Sequence, residues 1–206
     1  MLKIVRRAAY ALIALLLAGV GGVLWWRGEA PQLADIGMAL PGGVSMGGPF
    51  TLVNTAGETV TEASFRGRWM VVYFGYTFCP DVCPTELQTI SAALDKLGPL
   101  AARVVPVFIT IDPERDTVAA LAEYTKLFDE RLVGLTGSKE QIAAAAKSYR
   151  VYYARAKAKD NSDYLMDHSS FIYLVGPDGG FRALFRHGIA VQELADGMKG
   201  RIEAGG

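Results

Sequence analysis

The sequence predicts an α/β domain in which a mixed central sheet is flanked by helices. Two runs rich in β-branched and aromatic residues, residues 69–76 and 103–111, have the composition of buried strands. Segments with the apolar spacing of helices follow these strands. The chain then closes with two short strands joined by a turn and with a last helix, so we expect part of the sheet to be antiparallel.

Seven short stretches have the residue types of strands. They cover residues 49–53, a piece ending at residue 60, and residues 69–76, 103–111, 132–135, 170–175 and 181–185. Residues 54–57 turn the first strand towards the second, and the sequence PDGG at residues 177–180 forms the turn of the closing hairpin. Pro106 weakens the prediction for the middle of its strand, because proline cannot donate a hydrogen bond to a neighbouring strand.

Four segments have features of helices. They cover residues 86–97, residues 117–127, a segment that starts after Ser138, and residues 191–202. Leu87, Ile90 and Leu94 form one apolar face of the first helix, and Gly98 and Pro99 end it. Gln141 lies three residues after Ser138, which is the pattern of a capping box at a helix N-terminus.

This order of elements is typical of the thioredoxin-like fold. In that arrangement a buried strand leads into a cysteine pair at a helix N-terminus, and a hairpin and a helix end the chain. Functional groups in such open sheets collect at the carboxyl ends of the strands. We therefore predict one domain of this type over residues 49–206, preceded by a linker rich in Gly, Pro and Ala at residues 27–48.

Composition and charge exclude several classes of protein. The chain has 206 residues, with 21 Lys and Arg against 21 Asp and Glu. A neutral chain lacks the excess of positive charge that nucleic-acid binding requires, so we expect no nucleic-acid partner. Two cysteines are too few for a small disulfide-rich scaffold.

An uncharged apolar run at residues 8–26 predicts a membrane anchor. At about 1.5 Å per residue it nearly crosses a hydrocarbon core of about 30 Å. The basic residues Lys3, Arg6 and Arg7 precede it, so the positive-inside rule keeps residues 1–7 in the cytoplasm. We expect a single-pass protein of a bacterial inner membrane with its domain in the periplasm. The alternative is a cleaved signal peptide, but no clear cleavage site follows the run.

The two cysteines form the main candidate for chemistry. Cys79 and Cys83 follow a predicted core strand, and each precedes a proline. Because Pro84 suits the first position of a helix, we expect a loop from Cys79 to Cys83 that leads into the helix N-terminus. That location favours thiolates, which are both nucleophiles for disulfide exchange and soft metal ligands. A purely structural disulfide across so short a loop would stabilise the fold little.

The spacing leaves a redox pair and a metal site open. Three residues separate the cysteines, whereas the redox motif of thioredoxin-type oxidoreductases has two. Zinc sites commonly use four ligands, but copper(I) is satisfied by two thiolates and one imidazole. The chain has two histidines, His168 and His187, and spacing alone does not choose between them.

Three separated motifs resemble those of one family. They are FGYTFCPDVCP at residues 74–84, IDPERDT at residues 111–117 and DHS at residues 167–169. Together, in this order, they resemble the Sco (SenC) family of copper-binding cytochrome oxidase assembly proteins. The likeness extends from about residue 47 to the end of the chain and includes the plan of an N-terminal anchor.

The resemblance implies a thioredoxin-like domain with Cys79, Cys83 and His168 as copper ligands, with copper(I) as the expected form and copper(II) as the alternative. It implies delivery of copper to the binuclear copper centre of cytochrome c oxidase subunit II, with an upstream periplasmic copper donor. An alternative is a thiol–disulfide oxidoreductase in which Cys79 and Cys83 reduce the cysteines of that centre. An enzymatic role therefore stays open, although a reductase does not need an imidazole beside its cysteines.

Two aspartates of the middle motif have competing interpretations. Asp112 precedes a proline and favours a turn, and Asp116 or Thr117 can cap the next helix. Asp112 would also lie near the cysteine loop, where it could shape the metal site or a docking surface. We assign Asp116 a structural role and leave both interpretations of Asp112 open.

Overall fold

The computed structural model describes residues 46–156 and 164–205. The predicted N-terminal segment 1–7, the predicted anchor at residues 8–26 and most of the linker at 27–48 lie outside these residues. Among the residues that are described, no helix has the length and apolar character needed to span a bilayer.

Within the described residues, nine strands form a large sheet and a small ribbon. The strands are β1 (Thr51–Asn54), β2 (Thr59–Thr61), β3 (Trp69–Gly75), β4 (Val104–Thr110), β5 (Val133–Thr136), β6 (Tyr153–Arg155), β7 (Met166–His168), β8 (Ile172–Val175) and β9 (Phe181–Phe185). The large sheet has the order β2-β1-β5-β4-β3-β8-β9. β3, β4 and β5 run parallel, whereas the pairs at both edges are antiparallel. The predicted mixed sheet is therefore confirmed.

Helices connect and cover the strands. They are α1 (Val82–Lys96), α2 (Val118–Thr125), α3 (Lys139–Ser148) and α4 (Val191–Ala204), with short 3₁₀ helices at Glu62–Phe65 and Gly98–Arg103. α1 and α4 pack against each other, while α2 contacts β5 and α3 contacts β1. Thr117 and Ser138 cap their helices through side-chain oxygens, and Ser138 forms the predicted capping box with Gln141.

The two central strands are buried along their whole length. Every residue of β3 and of β4 is buried, which requires that both faces of the sheet be covered. Pro106 is tolerated because it precedes the stretch from Val107 to Ile109 that pairs with β5. β3 is thus held on both faces of the sheet, and its end fixes the position at which the cysteine loop begins.

The structure corrects two predictions near that loop. α1 begins at Val82, so Cys83 lies inside the helix, and Pro84 is its third residue rather than its first. Proline is still accommodated there, because amides of the first helical turn have no partner within the helix.

The second correction concerns His168, which is outside the strands predicted from the sequence. It lies instead at the end of β7, a strand that the sequence did not predict. β7 pairs with β6 in a separate antiparallel ribbon, in which His168 faces Tyr153.

Gly75, the last residue of β3, leaves space for the cysteine helix. A Cβ atom at this position would lie 2.8 Å from the Cys83 sulfur and 2.8 Å from the Phe108 ring. We expect Gly75→Ala to destabilise the fold by about 1–3 kcal/mol, because a buried contact would be overpacked. Urea denaturation of the reduced full-length protein measures this loss.

A double-mutant cycle tests the cause of this destabilisation. Removing the sulfur by Cys83→Ala should restore part of the stability that Gly75→Ala loses. Strictly additive losses in the two single variants and the double variant would contradict the predicted contact.

Candidate metal centre

Three side chains from separate segments converge at the carboxyl end of β3. They are Cys79, in the turn after β3, Cys83, in the first turn of α1, and His168, at the end of β7. Their ligand atoms all lie within 4.8 Å of one another, and no other such group of three potential metal ligands occurs in residues 46–156 and 164–205. The structure thus brings together all three predicted ligands.

Backbone amides organise the cysteine loop. The amide of Cys79 donates to the Tyr76 carbonyl (3.3 Å), which closes the turn, and the amide of Cys83 donates to the Cys79 sulfur (3.3 Å). The start of α1 therefore points an N–H group that has no partner within the helix at Cys79, where the helix dipole favours negative charge. Neither cysteine forms a disulfide, and Cys83 is fully buried, whereas Cys79 is partly exposed.

This geometry separates the pKa values of the two thiols. The pKa of Cys79 is lowered to about 3, chiefly because Cys83 donates a hydrogen bond to its sulfur, with further help from the backbone amides of Cys83 and Asp81. The pKa of Cys83 is raised, because Cys83 keeps the proton that it donates to Cys79 and because its sulfur is buried. The pair therefore holds one thiolate and one thiol at neutral pH.

His168 presents one nitrogen to the sulfurs. Its Nε2 atom lies 3.5 Å from the Cys83 sulfur, and its Nδ1 atom lies 3.1 Å from the Ser169 carbonyl. A carbonyl oxygen only accepts, so we assign the ring proton to Nδ1, which leaves the Nε2 lone pair directed at the cysteines. The rings of Tyr73 and Tyr76 contact the imidazole edge-on, at 6.3 and 5.9 Å between centroids.

His187 lies outside the centre. Its Nδ1 atom is 2.6 Å from Oε1 of Glu86, and the amide of Gly188 donates to the same oxygen. Glu86 is buried in α1, whereas the His187 side chain is half exposed. His187 therefore joins the loop after β9 to α1 instead of contributing to the cysteine pair.

Asp116 has the structural role that we predicted, by a different route. It does not cap a helix, since Thr117 does so. Its buried carboxylate accepts hydrogen bonds from the amide and the hydroxyl of Thr77 (3.0 and 2.6 Å) and from the hydroxyl of Thr110 (2.6 Å). Burial raises the pKa of Asp116, and these donors oppose the increase. The network attaches the residues before Cys79 to the end of β4.

Asp112 is buried and binds two side chains. Its carboxylate accepts hydrogen bonds from Arg115 Nε (2.5 Å) and from the hydroxyl of Tyr164 (2.8 Å).

Sequence reasoning did not predict the roles of Thr77, Gly75 or Tyr164 around the centre. For Gly75 and Thr77, the only signal in the sequence is their position beside the cysteine loop. Tyr164 carries no such signal. All three act through contacts with residues that are distant in the chain, and the sequence does not show these contacts.

The donor set suits a soft ion of low coordination number. Two sulfurs and one imidazole nitrogen match the preference of copper(I), and among the described residues no fourth His, Cys, Asp or Glu completes the set that zinc commonly requires. The same two thiols also suit disulfide exchange, since a thiolate lies next to a second thiol.

Relatives of known identity share most of this domain. The chain is 48% identical over 158 residues to the Arabidopsis thaliana protein named Protein SCO1 homolog 1, mitochondrial. The aligned region covers 76% of this chain and 47% of that protein. It is 40% identical over 207 residues to the Bos taurus protein named Protein SCO2 homolog, mitochondrial, covering 96% and 76%. This chain therefore spans about half the length of the first relative and three quarters of the second.

Solved structures agree in fold. The crystal structure of Arabidopsis thaliana ScoI with copper bound matches with a TM-score of 0.74 at 46% identity, over 78% of this chain and 99% of that one. The structure of Bradyrhizobium japonicum ScoI with copper bound matches with a TM-score of 0.69 at 42% identity, over the same shares. The sequence model of the family described as SCO1/SenC matches residues 39–203, and with this match the chain belongs to the SCO1/SenC family.

Proposed function

We propose that this protein is a copper metallochaperone. It binds copper through Cys79, Cys83 and His168 and passes the ion on during assembly of the binuclear copper centre of cytochrome c oxidase subunit II. The convergence of three soft or borderline donors within 4.8 Å carries this proposal. It is supported by the two similar ScoI proteins whose structures have copper bound.

Copper(I) is the form that the donor set favours, with copper(II) as the second. Two sulfurs and one nitrogen give a soft ion three ligands. Loading releases the proton that Cys83 holds, because only a thiolate is a strong ligand. Copper is here the cargo, so the centre has to release it to a partner as well as bind it.

The low pKa of Cys79 supports a second candidate function, reduction of the target's cysteines. The Cys79 thiolate would attack a disulfide of the target and form a mixed disulfide, releasing one target thiolate. Cys83, after losing its proton, would attack the Cys79 sulfur and release the second target thiolate. Two electrons then leave this protein, whose cysteines become a disulfide that no longer binds copper through thiolates.

We further propose a single-pass anchor at residues 8–26 in a bacterial inner membrane. The uncharged apolar run and the basic residues before it support this topology, with the N-terminus in the cytoplasm and the domain in the periplasm. An upstream periplasmic copper donor and the oxidase subunit would then be the partners, and the balanced charge supports no nucleic-acid partner.

Replacing each histidine in turn tests whether His168 is a copper ligand and His187 has only a structural role. In the reduced full-length protein, His168→Ala should lower copper(I) affinity at least about 100-fold, because one of three ligands is lost. His187→Ala should bind one copper ion as the wild type does, although it should lower the thermal midpoint because buried Glu86 loses one of its two partners. Competition with a copper(I) chelator measures both affinities.

The same variants distinguish the two functions. Loss of copper and of oxidase assembly in His168→Ala, with thiol exchange intact, supports copper delivery. Loss of copper with normal oxidase assembly would favour the reductase, and unchanged copper affinity would show that His168 is not a ligand.

The pKa of Cys79 predicts an unusual pH dependence of thiol reactivity. Because this pKa is lowered to about 3, the thiolate should persist on acidification and be lost only as pH falls towards 3. Alkylation of reduced, copper-free protein by iodoacetamide should therefore change little between pH 8 and pH 5. An ordinary thiol with a pKa of about 8.5 would slow about 100-fold between pH 7 and pH 5.

Single-cysteine variants provide the controls for this measurement. Cys83→Ala should raise the pKa of Cys79, since the main hydrogen-bond donor to its sulfur is lost. Cys79→Ser should react slowly throughout, because the remaining sulfur is buried. A tenfold loss of wild-type rate per pH unit below pH 7 would contradict a lowered pKa.

The topology has its own test. A reporter that is active only in the periplasm, fused after Gly206, should be active in a bacterial host, and a cytoplasm-specific reporter at the same site should be silent. The reverse pattern would exclude the proposed location.

A further inference from the structure

A cluster of three side chains links the cysteine loop to the ribbon that carries His168. It consists of Asp112, Arg115 and Tyr164, and we call it the Asp112 clamp. One oxygen of the buried Asp112 carboxylate accepts from Arg115 Nε at 2.5 Å, and the other accepts from the Tyr164 hydroxyl at 2.8 Å. Asp112 is only 3% exposed, so water competes little for these bonds.

The Arg115 guanidinium lies between aromatic rings. Its central carbon is 3.8 Å from the centroid of Tyr164 and 4.5 Å from that of Phe78. Both Nη atoms are buried and have no hydrogen-bond partner within residues 46–156 and 164–205, so cation–π contacts are the main interactions found for this part of the group. Since Phe78 directly precedes Cys79, Arg115 joins the chain at Cys79 to the chain at Tyr164.

The ribbon depends on such attachments. β6 and β7 have three residues each and are not part of the seven-stranded sheet. A two-stranded ribbon is marginally stable by itself in water. Besides the clamp, the amide of Met166 donates to the hydroxyl of Tyr76 (3.2 Å), which is a second link to the residues before Cys79.

We propose that Asp112, Arg115 and Tyr164 are positioning residues that hold the His168 strand against the cysteine pair and thereby set the rate at which the centre releases copper. None of the three belongs to the group of converging ligand atoms, so they act through the position of His168. This inference rests on the proposed function, because it names the part of the protein that controls retention of the cargo.

Tyr164→Phe tests the clamp with little disturbance. The substitution keeps the ring that stacks on Arg115 and removes only the hydroxyl that binds Asp112. Tyr152→Phe is the matched control just before the other strand of the ribbon, because the Tyr152 side chain is 65% exposed and no hydrogen bond of its hydroxyl is found among the described residues.

Two measurements on the reduced full-length protein are needed. Amide hydrogen exchange of the copper-free protein should be at least about tenfold faster over residues 164–170 in Tyr164→Phe and unchanged in the β3 and β4 strands. Removal of copper(I) by excess chelator should accelerate by a similar factor, with one copper ion still bound per chain at the start. Tyr152→Phe should match the wild type in both measurements.

Three results would overturn the clamp. They are an unchanged rate of copper removal in Tyr164→Phe, faster removal without faster exchange over residues 164–170, and faster exchange throughout the sheet, which would show a general loss of stability. If the wild-type chain retains no copper, the proposed function fails by itself. Equal exchange over residues 164–170 in wild type and Tyr164→Phe would then overturn the clamp separately.

Discussion

The contact between the Cys83 sulfur and the His168 imidazole is the constraint on which the rest of the centre depends. The two groups are 85 residues apart in the sequence and 3.5 Å apart in the fold. One sits on a helix that is fixed to the central sheet, while the other sits on a ribbon outside that sheet. The fold therefore has to hold an element of the main sheet layer against a separate ribbon, and hydrogen bonds of Asp116, Asp112 and Tyr76 contribute to this.

The supporting contacts divide between the two sides of the centre. On the cysteine side, the buried carboxylate of Asp116 binds Thr77 and Thr110, which fixes the chain just before Cys79 to β4. On the histidine side, Tyr164 and Met166 attach the ribbon through Asp112 and Tyr76. Buried carboxylates are stable in these places because each has its hydrogen-bond partners, and losing one partner costs far more than an exposed contact would.

Much of the sheet could be predicted from sequence, because β3 and β4 are long, apolar and β-branched and PDGG marks the closing turn. The strands β6 and β7 could not be predicted, because three residues are too few to show a periodic pattern. The ribbon that they form is also held by contacts with residues elsewhere in the chain, such as Asp112 and Tyr76. The start of α1 was misplaced because proline fits several positions of a first helical turn. The cysteines followed from their local sequence, whereas the choice of His168 over His187 needed the family motifs.

The two sulfurs differ in access to solvent, and this difference gives ligand exchange an order. Cys83 is fully buried, with Gly75 and Phe108 close to it, whereas Cys79 is partly exposed at the end of its turn. In the proposed function, an incoming thiol or imidazole would reach a bound ion from the exposed side of the centre, where Cys79 and His168 are partly open to solvent. Cys83 would then be the last donor to be displaced, so the proposed transfer of copper would be stepwise and would proceed from one side of the centre.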